Sequence, residues 1–455
     1  MRTHAAMQQI FMMSALPGCS AVSRVLVAVL LLTLAFSVQA REVLRLHGSN
    51  TLGETLAPAW VEAWFEARGC SGTERHPVEA GHVRLVGSGD CGLEVELQTH
   101  GSGTGIAGLL DGRTDLAMAS RPVNAREVQT GRERGLGELD APGQELVVAL
   151  DGVAVIVHPD NPLRELRVAQ VRALFDGSLR NWSQLGGLGG AVRVHARDAE
   201  SGTFDTFRGL VLGQRPLRAD AQRYESTREL AAAVAADPAA IGFVGIAGVA
   251  GARALAIADA GVAMLPEAFR IAVEDYPLSR RLYLYQGADA SPLAQDFADF
   301  VLAEEQQALI ARSGFVSQQV RAYADSVRPD APDEYRTLVD GAQRLSLNFR
   351  FGRGLVDSKA AADVARLAQF MAKPENRGAR LLLMGFVDPD EVSPYMAQSL
   401  SNDRVDYIAS LLEAARLPVV RVRGMGGSAP LASDSGDAGR HRNRRVEVWI
   451  DHAAP

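Results

Sequence analysis

The hydrophobic pattern of this 455-residue chain changes period along its length. Residues 25–36 are an unbroken apolar run behind Arg24. From 41 to 320, short apolar runs alternate with helical patterns and Gly-rich turns, which predicts an α/β fold with parallel strands. Within it, Ala191-Val192-Arg193-Val194-His195-Ala196 alternates as a strand, and residues 204–212 read as the start of a helix. Residues 321–343 contain Arg328-Pro329-Asp330-Ala331-Pro332-Asp333-Glu334, where two prolines among charges should break any helix. That segment reads as a linker. Residues 344–455 then form a second, smaller α/β unit. Residues 345–351 alternate as a half-buried strand, and Val364, Leu367, Phe370 and Met371 recur at helical spacing within 358–372. A strand at 380–384, a helix at 399–415 and strands near 420–424 and 445–451 complete the pattern.

Residues 1–40 read as a cleavable signal peptide, because Arg24 precedes the apolar run and Val38-Gln39-Ala40 precedes Arg41. The run is short for a bilayer span. Leu16-Pro17-Gly18-Cys19 imitates a lipoprotein cleavage box, but processing there would leave the apolar run on the product. The chain is therefore expected to be exported. Cys19 would leave with the signal, and Cys70 and Cys91 remain as an even pair in an exported protein. That favours one disulfide over two buried thiols. At 47% hydrophobic and 22% charged residues the composition is that of a globular protein. A net charge of −7 without a long basic run argues against nucleic acid as a partner.

Three Gly/Ser/Thr-rich loops fall where strands should end: Gly48-Ser49-Asn50-Thr51, Gly101-Ser102-Gly103-Thr104-Gly105 and Ser201-Gly202-Thr203. Ligands of open α/β sheets sit at such loops. The third is headed by Arg197 and followed by a helix start. Free backbone N–H groups, hydroxyls and a planar guanidinium at one junction suit a small tetrahedral oxyanion. The dinucleotide fingerprint fails at Ile106, and no phosphate-binding P-loop motif is present. His47 and His195 flank two of the loops, but His195 shares a strand face with Arg193 and Arg197, a poor setting for a cation. No base accompanies the hydroxyls, so no catalytic residue, metal or cofactor is expected.

Residues 44–320 resemble the PstS-type phosphate-binding proteins of ABC transport. Besides the loops, the likeness rests on Asp151-Gly152-Val153-Ala154-Val155-Ile156-Val157-His158-Pro159-Asp160-Asn161-Pro162, on Leu174-Phe175-Asp176-Gly177, on Asn181-Trp182, and on Asp237-Pro238 with Ile241-Gly242-Phe243. The resemblance implies a two-lobed periplasmic-binding-protein fold (type II) closing by hinge motion. It implies ligand contacts from Thr51, the amide of Leu52, Ser102, Arg197, Ser201, Gly202 and Thr203, and an ABC permease as partner. One departure is Ala119-Ser120-Arg121, where phosphate-selective members carry an aspartate. Arg121 predicts a more cationic pocket with weaker discrimination between phosphate and sulfate. Asp115, Asp198 or Asp205 is the carboxylate that would replace the missing acceptor.

The second unit carries Gly385-Phe386-Val387-Asp388, Leu400-Ser401-Asn402-Asp403-Arg404 and Asn443-Arg444-Arg445-Val446-Glu447. Over residues 344–452 it resembles the OmpA-like C-terminal domain, a βαβαββ α/β sandwich that binds peptidoglycan non-covalently. A carboxylate facing a guanidinium suits a ligand with an amine and a carboxylate on one carbon, as at the free end of a diaminopimelate stem peptide. Asp388 would take the ammonium, Arg404 the carboxylate, and Arg445 would brace the site. Ala397, Val387 and Pro389 depart from the family's pattern, and Pro389 restricts the backbone of Asp388. The whole then reads as a non-enzymatic binding protein of the Gram-negative envelope, capturing phosphate or a related oxyanion and tethered to the wall. The competing reading is a wall-bound structural, adhesion or sensor protein with a relict or repurposed cleft.

Overall fold

The computed structural model describes residues 41–186, 189–199, 201–324, 327–352, 356–432 and 437–452. The expected signal peptide, with Cys19, lies outside the described residues.

The first part of the chain supplies β1 (Glu42–Gly48), β2 (Gly72–Glu79), β3 (His82–Ser88), β4 (Leu93–Gln98), β5 (Leu116–Ala119), β6 (Glu145–Val157), β7 (Glu165–Arg167), β8 (Arg193–Arg197), β9 (Gln222–Tyr224), β10 (Ala240–Gly245), β11 (Arg253–Ala254), β12 (Ala256–Ala258) and β13 (Ser279–Tyr285). They form an 11-stranded sheet in the order β2-β3-β4-β1-β5-β13-β6-β10-β8-β9, with β11 against β6, and a separate β7–β12 pair. The sheet is mixed rather than parallel. The pairs β1/β5, β10/β8 and β8/β9 are parallel, whereas β2–β3–β4 is an antiparallel meander and β13 runs antiparallel to both its neighbours. Short connections between β2, β3 and β4 permit only hairpins. Cys70 and Cys91 are bridged beside this meander. Gly87 passes between them, since a Cβ there would lie 2.5 and 2.6 Å from the two sulfurs.

The 13-residue β6 joins two lobes. Its first half pairs with β13 and places Val148 and Ala149 in a core with Leu46, Trp60, Trp64 and Phe297. Its second half pairs with β10 and places Val153, Val155 and Val157 in a core with Phe175, Trp182, Phe207 and Phe243. A strand buried on both faces in two cores is the crossing segment about which the lobes can move.

The C-terminal part adds β14 (Ala322–Tyr323), β15 (Gln343–Arg350), β16 (Arg380–Phe386), β17 (Val419–Gly424) and β18 (Arg445–Asp451) in the order β14-β15-β18-β16-β17. One face, carrying Leu345, Leu347, Phe349, Leu383, Val446 and Val448, packs on the helices Ala360–Met371 and Pro394–Ala414. The second helix starts at Pro394, five residues before the expected position, because proline is tolerated in a first turn.

Two sequence expectations fail here for one reason. The segment 321–343, read as a linker or hinge, is not free of helix. It contributes β14 and the helix Asp333–Leu338, which begins directly after Pro332 with Asp333 and Glu334 in its first turn. Tyr335 from that helix packs on Trp449 and Phe386, on the second face of the sheet. The polar positions of β15, expected to face water, are buried on that same face: Arg344, Asn348 and Arg350 are at most 4% exposed. They meet the segment Val273–Asp275 of the first domain. Arg344 and Arg350 pair with Asp275 at 3.0 and 3.2 Å, and Asn348 donates to the Val273 carbonyl at 3.0 Å.

Candidate functional site

The three polar loops are stitched together by the backbone. Ser49 N–H donates to the Met118 carbonyl at 3.0 Å and Gly101 N–H to the Gly48 carbonyl at 2.8 Å. Gly48 has φ 136°, and a Cβ there would lie 2.1 Å from Met118 O, so glycine lets β1 turn against β5. Gly105 is equally constrained, with its Cβ position 2.4 Å from His47 O, so the helix Ser102–Leu110 starts flush on the first loop.

At this junction Ser102 Oγ accepts from Ser120 N–H at 3.0 Å and lies 3.2 Å from Ser120 Oγ. The third loop arrives from the other lobe. A Cβ on Gly202 would stand 2.4 Å from Thr51 Oγ1 and 3.5 Å from Ser120 Oγ. Thr51, Ser102, Ser120 and Gly202 therefore share one spot. Ser49 Oγ, Asn50 Oδ1 and Thr51 Oγ1 are buried there without a hydrogen-bond partner. Such groups are costly unless something satisfies them. Leu52 is buried in the same turn, Asn50–Gly53, whose opening amides have no helical partner.

Arg197, at the end of β8, is 5% exposed and does not point to bulk water. It donates to the Tyr224 carbonyl at 3.3 Å and to Thr227 Oγ1 at 2.5 Å. Its charge reaches Glu54, three residues past Thr51: burial raises that carboxyl above the ordinary range, and Arg197 opposes the rise. Ser201 Oγ caps the third-loop helix by accepting from Phe204 N–H at 3.4 Å.

Sequence reasoning missed Arg280. It sits on β13, paired in register with Asp151 of β6, and donates to Asp151 Oδ2 at 2.9 Å. It also donates to the Gly202 carbonyl at 2.8 Å, to Thr206 Oγ1, and to Thr203 Oγ1 at 3.5 Å. The available signal was Asp151 within the apolar run of β6 and the Arg280-Arg281 pair ahead of the apolar residues of β13. A cavity of about 750 Å³ opens here, lined among others by Ser102, Ser120, Arg121, Asp205, Thr206 and Arg280, and by Asp357, Ser358, His441 and Arg442 of the C-terminal domain.

The expected excess of positive charge at Arg121 is cancelled. Glu127 takes its fork in two hydrogen bonds of 2.9 and 2.8 Å while also closing the capping box with Asn124. Of the carboxylates considered as replacements, Asp115 pairs with Arg45 at 2.6 Å, and Asp198 has its N–H on the Tyr224 carbonyl. Asp205 is the one lining the cavity, and burial raises its carboxyl although Arg208, Arg121 and Arg280 pull it down. His47 lies 3.5 Å from Glu96 and His195 donates or accepts at Tyr224 Oη at 2.9 Å; burial pushes both imidazoles down. Among the described residues no group of three or more metal-ligating side chains gathers.

In the C-terminal domain Asp388 follows β16 and is 3% exposed. Its Oδ2 accepts from Asn443 Nδ2 at 2.7 Å and its Oδ1 from Asp390 N–H at 3.1 Å. Asn443 is fixed in turn by accepting from Leu431 and Ala432 N–H at 2.7 and 3.0 Å. Arg404 lies over the Phe351 ring at 5.1 Å, and its ion pair is with Glu391, in bonds of 2.8 and 2.7 Å. Arg444 adds Nε at 3.1 Å from Glu391 Oε1. Arg445 is not brought to this group. It is buried on the opposite side, paired with Glu447 at 2.9 Å and stacked 3.9 Å over Phe386. Successive residues entering a strand face opposite ways, so Arg444 takes the place expected of Arg445.

Residues 87–305 match the model of the PBP superfamily domain, and residues 348–444 match that of the OmpA family. Protein SphX of Synechococcus elongatus is 28% identical over 55% of this chain and 76% of its own length. The phosphate-binding protein PstS of Bacillus subtilis is 26% identical over 49% of this chain and 71% of its own. The solved ABC-type phosphate transport receptor of Vibrio cholerae covers 60% of this chain and 99% of its own, with 23% identity and a TM-score of 0.48. The match to the PBP superfamily domain contains the second and third loops, Arg121, Arg197 and Arg280. The match to the OmpA family domain contains Asp388, Glu391, Arg404, Asn443 and Arg444.

Proposed function

We propose that this protein is a non-enzymatic binding protein of the cell envelope. Its PBP superfamily domain captures phosphate or a related tetrahedral oxyanion between the lobes, and its OmpA family domain tethers it to peptidoglycan. The observation that carries the first half is the set of buried, unpartnered oxygens on Ser49, Asn50 and Thr51 where the Gly202 loop closes on them. A tetrahedral dianion accepts from the O–H groups of Ser49 and Thr51 and from the free backbone amides around them, and its one proton is left for a carboxylate. The phosphate-binding proteins among the relatives support phosphate as the oxyanion. The ligand set proposed is Thr51, Leu52 N–H, Ser102, Arg197, Ser201, Gly202 and Thr203, with Arg280 holding the third loop and Asp205 accepting the phosphate proton. Asp388, Arg404 and Arg444 are proposed to meet the wall peptide. Titration calorimetry with phosphate, sulfate and molybdate tests the first half, and co-sedimentation with isolated sacculi tests the second.

One observation favours a sensing role over simple delivery to an ABC permease. Asp357, Ser358, His441 and Arg442 of the tethering domain line the same cavity as Ser102 and Arg280. A wall-bound domain at the mouth of the cleft is placed to register its occupancy. Phosphate-dependent change in sacculus binding would support this, and independence of the two would favour delivery.

A further inference from the structure

The wall-binding group of the OmpA family domain holds one carboxylate too many. Arg404 offers a planar fork that suits the carboxylate of a ligand with an amine on the same carbon. In this chain both arms of that fork are taken by Glu391, at 2.8 and 2.7 Å, and the Arg444 guanidinium adds an ion pair at 3.1 Å. This is the bidentate geometry a ligand carboxylate would adopt. Glu391 belongs to the turn that also carries Asp388, since its N–H donates to the Asp388 carbonyl at 3.0 Å. The two carboxylates differ in how they are held. Asp388 is anchored through Asn443 to the 431–432 backbone, whereas Glu391 is bound by the two arginines and followed by exposed Ser393.

We propose that Glu391 is an internal stand-in for the ligand's carboxylate, which a diaminopimelate terminus must displace from Arg404 and Arg444 while Asp388 takes its ammonium. The proposal rests on the wall-tethering reading above. Glu391 then sets the affinity of the tether: the chain binds only in the fraction of molecules where the Glu391 side chain has swung out. The contact is local, so its effective concentration is that of a short tether and favours the closed form.

The test uses the full-length mature chain, titrated calorimetrically with meso-diaminopimelate and co-sedimented with isolated sacculi. Glu391→Ala and Glu391→Gln are compared with Arg404→Ala, and phosphate titration of each variant checks that the chain is intact. A competitor occupying nine molecules in ten predicts that Glu391→Ala binds about tenfold tighter, Glu391→Gln tighter by less, and Arg404→Ala not at all. If both Glu391 variants bind no tighter than the wild type while Arg404→Ala is silent, Glu391 is a brace or a ligand contact and the proposal falls, but the tether stands. If wild type and Glu391 variants alike ignore diaminopimelate and sacculi, the tethering reading falls and takes the proposal with it.

Discussion

Arg344, on β15 of the C-terminal sheet, lies 3.0 Å from Asp275 of the first domain, with side chains 1% and 0% exposed. The two belong to a buried set. Arg350 meets Asp275 at 3.2 Å, Arg344 also meets Glu447 at 3.2 Å, and Arg281 bridges Glu274 at 2.6 Å and Asp357 at 2.7 Å. Arg281 sits beside Arg280 on β13, which pairs with the crossing strand β6. The docking of the second domain and the hinge of the first therefore share a segment. Removing one partner of a buried pair leaves the other charged and unsatisfied, which costs about 3–5 kcal/mol. Asp275→Asn is expected to lower unfolding stability by that order in urea titration, whereas breaking an exposed pair such as Arg132–Glu138 should leave the transition nearly unmoved.

The same network gives stability an acid edge. Burial opposes ionisation of Asp275, but Arg344 and Arg350 outweigh it and hold the carboxyl down at about 2; for Glu274, Arg281 overcomes burial to the same value of about 2. An unfolded carboxylate titrates near 4. A carboxyl depressed by folding contributes stability that is fully present above its unfolded pKa and is lost as pH falls through its folded one. Unfolding free energy should stay level from pH 7 to about 5 and drop between about 4 and 2. Asp275→Asn should flatten part of that drop, and a wild-type protein equally stable at pH 2 and pH 7 would contradict the pairing.

Closure at the proposed anion site depends on the missing side chain of Gly202. A Cβ there would stand 2.4 Å from Thr51 Oγ1, closer than packing permits. Gly202→Ala is expected to weaken phosphate binding by about tenfold or more in calorimetry, the effect of a small misplacement of binding groups. Its melting temperature should move little, because the clash is relieved by opening the lobes.

Asp205, which Arg208 also meets at 2.8 Å, is the carboxylate proposed to separate phosphate from sulfate. It lines the cavity and burial raises its carboxyl, while the charge of Arg121 is spent on Glu127. Phosphate still carries a proton to donate near neutral pH and sulfate does not. Asp205→Asn should reduce the preference for phosphate over sulfate in competition binding, with the larger change in sulfate. Glu127→Gln, which frees Arg121, should move the ratio the same way.

Much of this was legible in the sequence because it is local. Strand and helix periods pointed to the elements, and the Gly/Ser/Thr loops after strands are the ones the fold brings together. What was not legible is where polar faces meet across long separations. Arg344, Asn348 and Arg350 alternate with apolar residues just as a solvent-facing edge would, and the segment Val273–Asp275, about seventy residues earlier, makes that face an interface. Arg121 beside the second loop looks like pocket charge until Glu127, fixed by its role as a helix cap, is seen on its guanidinium. Arg445 and Arg444 differ by one position, and the strand period assigns them to opposite faces only once the start of β18 is known.

The most direct test of the account is phosphate titration of the mature protein beside its Arg197→Ala and Thr51→Ala variants. One binding event per chain in the wild type, weakened by an order of magnitude or more in each variant, is the expected result. Equal heats from all three proteins, or no heat from the wild type at millimolar phosphate, would contradict it.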